Sequence, residues 1–149
     1  MFKLTFCLRR LPALSREEFQ RYWRETHAPL VRRHADALGI ERYVQVHAGH
    51  DDLGTALRAS RGAPEPYDGV AELWWKDRAA FEAALATPAA QRAGAELLAD
   101  ERRFIDLASS PLWLGDEHPV VARLGAGAAQ RLRGGMARRA ARRRPARRP

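Results

Sequence analysis

The chain has 149 residues, 46% of them hydrophobic, which suits one compact domain with a real core. Its formal charge of +8 does not belong to that domain: Arg123 to Arg148 carries 10 of the 26 basic residues and no acid, leaving 16 bases against 18 acids in residues 1–122. This balance excludes a basic, nucleic-acid-binding body, and the single cysteine, Cys7, excludes an intrachain disulfide.

Arg9 and Arg10 interrupt the first apolar run, and no stretch approaches the ~18 apolar residues of a membrane span. A cytoplasmic protein is expected. Lys3 to Leu8 alternates as a strand, with Phe2, Leu4, Phe6 and Leu8 on one face and Lys3, Thr5 and Cys7 on the other. Ser15 followed by Glu18 is a capping box. It opens a helix that carries Phe19, Tyr22 and Trp23 on one face. Pro29 is expected to bend that helix at His27, because its ring clashes with the carbonyl four residues back and pushes Ala28 toward extended geometry. A second short helix with Leu30, Val31, His34 and Leu38 then stops at Gly39.

Ile40 to His47 is a second alternating strand, Arg42, Val44 and Val46 against Tyr43, Gln45 and His47. Ala48 to Pro66 is a long polar loop with a turn of helix near Leu53 to Ala59. Tyr67 to Trp75 is a third strand. Helices follow from Asp77 to Ala86 and from Thr87-Pro88 toward Phe104, then a short strand from Ser109 to Leu114. The order predicts an α+β, ferredoxin-like βαββαβ domain over residues 1–121, an antiparallel sheet with helices on one face. The face away from the helices is expected to carry Tyr43, Gln45, His47, Val70, Glu72 and Trp74. That face is apolar enough to favour a homodimer packed sheet to sheet.

Several stretches together resemble the EthD family of the dimeric α+β-barrel superfamily. They are Ser-Arg-Glu-Glu-Phe-Gln-Arg-Tyr-Trp-Arg-Glu-Thr-His-Ala-Pro-Leu, Tyr-Asp-Gly-Val-Ala-Glu-Leu-Trp-Trp, Asp-Glu-Arg-Arg-Phe-Ile-Asp-Leu and Glu-His-Pro-Val. The resemblance covers residues 2–121. It implies a homodimer with a small-molecule cavity between sheet and helices. Members of that family are associated with ether degradation and with tailoring of aromatic polyketides, without one settled reaction.

His27 matches the family's Trp-x-x-x-His-x-Pro pattern through Trp23 and Pro29, and an imidazole suits acid–base work near neutrality. The plainer alternative is a histidine that braces the bend. Glu72, between Val70 and Trp74, is a second catalytic candidate, because a carboxylate among aromatics holds its proton more tightly and can serve as a base. Its alternative is an ion pair with Lys3. Trp23, Tyr43, His47 and Trp74 are candidates for the substrate-binding wall, and the family match adds His118. Trp74 and Trp75 should point to opposite faces. Asp100, Glu101 and Asp106 alternate with arginines, so a solvated or salt-bridged face is expected.

The five histidines lack metal-ligand spacing and no glycine-rich phosphate loop follows a strand, so no metal and no cofactor is expected. The function the resemblance implies, with these candidate residues, is cofactor-independent acid–base or oxidative chemistry on an apolar or aromatic, polyketide- or xenobiotic-like substrate. The alternative is a non-catalytic ligand-binding protein supporting an oxygenase pathway. The Arg/Ala/Pro-rich segment 122–149 reads as a disordered tail able to bind polyanions weakly and non-specifically.

Overall fold

The computed structural model describes residues 1–121, of which Met1–Glu117 form one compact unit. The expected tail at 122–149 lies outside the described residues. Four strands, β1 (Phe2–Leu8), β2 (Arg42–His47), β3 (Gly69–Trp75) and β4 (Leu112–Asp116), form one antiparallel sheet in the order β2-β3-β1-β4. This is the ferredoxin-like arrangement, with β1 and β3 central. Helices α1 (Arg16–Tyr22), α2 (Ala28–His34), α4 (Arg78–Leu85) and α5 (Pro88–Glu101) complete the βαββαβ order, and α3 (Asp51–Ala59) is inserted between β2 and β3. The loop expected there to hold a single turn of helix therefore holds a nine-residue helix. The last strand begins three residues later than expected. No helix among the described residues is long and apolar enough to cross a membrane.

The capping box forms as read. The Ser15 hydroxyl accepts from the Glu18 amide, and the Glu18 carboxylate accepts from the Ser15 amide. Phe19 and Trp23 then drop onto the sheet against Phe6, Leu8 and Ala71, and Phe104 and Ile105 close the core from the far side of α5. A smaller cluster joins Leu38 to Ala90 and Ala93, where two small side chains bring α5 close.

The bend expected at Pro29 does not occur. Ala28 is helical, and the chain runs from α1 into α2 through one π-helical turn, Trp23–His27. The Ala28 amide reaches back five residues to the Trp23 carbonyl. A widened turn gives the proline ring room beside the carbonyl it would otherwise strike, so the helix absorbs Pro29 instead of breaking. The same turn presents both Trp23 and His27 to the core, and both are buried.

A second expectation is reversed. Tyr43, Gln45 and His47 pair with Leu73, Ala71 and Gly69, which in turn oppose Leu4, Phe6 and Leu8. They therefore lie on the helix-covered face. Val44 and Val46 lie on the open face with Thr5, Cys7, Val70, Glu72, Trp74 and Trp113. Alternation separated the two sets correctly, but the more polar set went inward. The reason is Trp23, whose indole N–H and backbone carbonyl are both met from β2. A buried indole N–H without an acceptor costs more than placing a tyrosine and a glutamine inside.

Candidate active site

The helix-covered face encloses a small cavity of about 50 Å³ under the π-helical turn. Phe6, Leu8, Val31, Leu73, Leu97 and Ile105 give it apolar walls, and three polar side chains reach it: His27, Tyr43 and Glu101. Apolar walls with a few converging polar groups are the usual construction of a small-molecule site.

His27 is held by α5. Its Nδ1 lies 2.8 Å from Asp100 Oδ2, and the Tyr22 hydroxyl donates to Asp100 Oδ1 at 2.6 Å. A carboxylate accepts, so Nδ1 carries the proton and Nε2 presents its lone pair. Phe104 packs against the ring, centroids 5.1 Å apart. Burial holds His27 below the usual histidine pKa, against the opposing pull of Asp100. The neutral imidazole is thus the resting form at neutral pH, which is what a general base requires.

Glu101 neighbours Asp100 on α5, one step round the helix, and lines the cavity. Burial, reinforced by the charge of Asp100, raises its pKa to about 7. Tyr43 is shifted in the same direction. Burial, with a smaller contribution from Glu101, pushes its pKa up to about 12, although hydrogen bonds from Gln45 and Trp23 oppose this. Trp23 Nε1 donates to Tyr43 Oη at 3.0 Å, and Gln45 Nε2 donates to the same oxygen at 2.9 Å. His47 stacks on Trp23, centroids 4.4 Å apart, and its Nε2 meets Gln45 Oε1 at 2.9 Å. Gly69 permits this stack. A Cβ there would lie 2.5 Å from Trp23 Cζ3.

The sequence candidates are divided by the sheet. His27, Trp23, Tyr43 and His47 gather on the helix side. Glu72 and Trp74 lie on the open face, so Glu72 and His27 do not share a cavity. Glu72 pairs instead with Lys3, Nζ to Oε1 2.5 Å. Trp74 is sandwiched by the Lys3 ammonium and the Arg42 guanidinium, and its Nε1 donates to Glu117. Trp75 points the opposite way, as alternation requires, and donates to the Leu38 carbonyl. His118 lies beyond the compact unit, and its side chain is exposed.

Asp100 and Glu101 correct the expectation of a solvated acidic face. The signal was present in α5. Ala90, Ala93, Leu97, Glu101 and Phe104 recur at three- and four-residue steps, which puts Glu101 on the buried stripe. Among the described residues no cluster of His, Cys, Asp and Glu is placed to hold a metal.

Solved structures share this fold. An EthD family protein of Bacillus halodurans is 19% identical, with a TM-score of 0.53 over 79% of this chain and 99% of its own. HapK of Hahella chejuensis is 18% identical, with a TM-score of 0.52 over 84% and 100%. An EthD-like protein of Ralstonia eutropha is 17% identical, with a TM-score of 0.50 over 82% and 94%. A comparison with curated protein sequences found no match. The family model of the EthD domain matches residues 11–108, well over half of the chain, and the protein therefore belongs to the EthD domain family.

Proposed function

We propose that the protein binds an apolar or aromatic small molecule at the His27 cavity and moves a proton on it. His27 Nε2 is the base, and Glu101, whose raised pKa keeps a share of it protonated near neutrality, is the acid. The observation that carries this reading is the partly buried Tyr22–Asp100–His27 chain, which fixes the buried imidazole with its lone pair free beside a mainly apolar cavity. Glu72 has no part in it. The cavity holds only the reacting end of a substrate. The cleft of about 400 Å³ between α2 and β2, which shares Val31 and Tyr43 with it, accommodates the remainder.

The working unit in this proposal is a homodimer. Val44, Val46, Val70 and Trp113 leave apolar surface on the open sheet face, with Val46 and Trp113 half exposed, and a second sheet would cover it. Native mass spectrometry of freshly purified protein tests both parts, through a dimer mass and a co-purifying ligand. His27→Ala should then slow conversion of that ligand by about 10²–10⁴-fold. A ligand bound but never converted would make the protein a non-catalytic binder instead.

A further inference from the structure

We infer that the Tyr43 hydroxyl is an obligate hydrogen-bond donor into the cavity, and that the ligand is an aromatic carbonyl compound whose oxygen accepts that bond. The inference rests on the acid–base reading of the His27 cavity and names its substrate class.

The argument is a count of donors and acceptors. A phenol oxygen accepts two hydrogen bonds and donates one. Both acceptor positions of Tyr43 are taken, by Trp23 Nε1 and by Gln45 Nε2. Neither bond can be reversed. An indole nitrogen only donates. The Gln45 amide cannot be turned over, because its nitrogen also donates to the Trp23 carbonyl at 3.0 Å while its oxygen meets His47 Nε2. His47 therefore carries its proton on Nε2, and the whole chain from His47 through Gln45 to Tyr43 has one direction. The phenolic proton has no acceptor among these partners, and the ring that carries it lines the cavity.

The cavity thus offers one fixed donor, Tyr43, and one fixed acceptor, His27 Nε2, among apolar walls that the Glu101 carboxyl interrupts. A carbonyl compound with a hydrogen on the adjacent carbon matches both. Its oxygen accepts from Tyr43, and its carbon gives up a proton to His27. In that step the C–H bond breaks, its electron pair forms a C=C bond, and the charge moves to oxygen, where the Tyr43 O–H strengthens its bond. Return of the proton restores the ketone, so no co-reactant is needed. An aromatic ring attached to the carbonyl lies in the adjoining cleft against Val31, Ile40 and Tyr43, in a lining that also includes Arg32, Glu41 and Arg42.

Acetophenone labelled with ¹³C at the carbonyl is the probe, and α-methylstyrene is its hydrocarbon isostere. Bound to the wild-type protein, acetophenone should show a carbonyl stretch lowered from its value in an apolar solvent. It should also bind about tenfold more tightly than α-methylstyrene. Tyr43→Phe should abolish both differences. A stretch equal to that in apolar solvent, equal affinity for the two probes, or no binding of acetophenone would each overturn the inference without recourse to any variant. Deuterium exchange into the acetophenone methyl group in D₂O separates the two readings. A lowered stretch with no exchange supports the Tyr43 donor and removes His27 as the base.

Discussion

Replacing Glu101 by glutamine isolates the cost of keeping a carboxyl beside the cavity. The side chain keeps its shape and loses its charge. The folded-state pKa, about 7, lies above the ordinary value of 4.5. The native state therefore binds more protons than the unfolded chain between those values. Glu101 costs nothing at pH 4, where both states are protonated. Its penalty grows as pH rises through the window and is complete above about pH 8. At about 1.4 kcal/mol for each pH unit of the window, the limit is about 3 kcal/mol. Partial exposure of the carboxyl to solvent brings the expected value down to about 2 kcal/mol. His27 slopes the other way, because burial lowers its pKa and stability falls as pH drops below 6.5. That contribution cancels in the difference between the two proteins. Urea unfolding of wild type and Glu101→Gln from pH 4 to pH 9, at one fixed protomer concentration, reads the difference directly. The two curves should meet near pH 4 and diverge to about 2 kcal/mol in favour of the variant by pH 8. A difference independent of pH would refute the placement of Glu101 in a desolvated site.

Two other outcomes follow from packing and from composition. Gly69→Ala puts a methyl group 2.5 Å from Trp23 and 2.7 Å from the Val46 carbonyl, so it should cost about 3 kcal/mol in denaturant unfolding and shift the Trp23 fluorescence; unchanged stability would show that Trp23 does not lie on the sheet at that point. Truncation after Val121, where the sequence turns to arginine, alanine and proline, should leave the thermal midpoint of the domain unchanged, and a fall of many degrees would show that residues 122–149 contribute to its fold.

Some of this protein is legible in the residues alone. The alternation of β1, the Ser15–Glu18 box and the Thr87-Pro88 restart are local signals, set by side-chain period and backbone preference, and the βαββαβ order follows from them; the helix expected to run to Gly39 instead ends at His34, with turns from there to Gly39. The family pattern singled out His27. What no local signal carried was which side of β2 faces inward. The more polar of the two alternating sets turned inward, against the hydrophobic pattern, and the choice fell to the hydrogen bonds Trp23 needs on burial. The helix through Pro29 was equally hidden, because a π turn is stabilised by the core that receives Trp23 and His27 and leaves no mark in helix preference. Glu72 and His27 looked like partners because both neighbour aromatics, yet a sheet stands between them. Asp100 and Glu101 looked like surface acids because arginines surround them. Only the packing of α5 against the π turn turns one toward the imidazole and leaves the other at the cavity wall, since burial is a property of what the chain meets in space rather than of its neighbours in sequence.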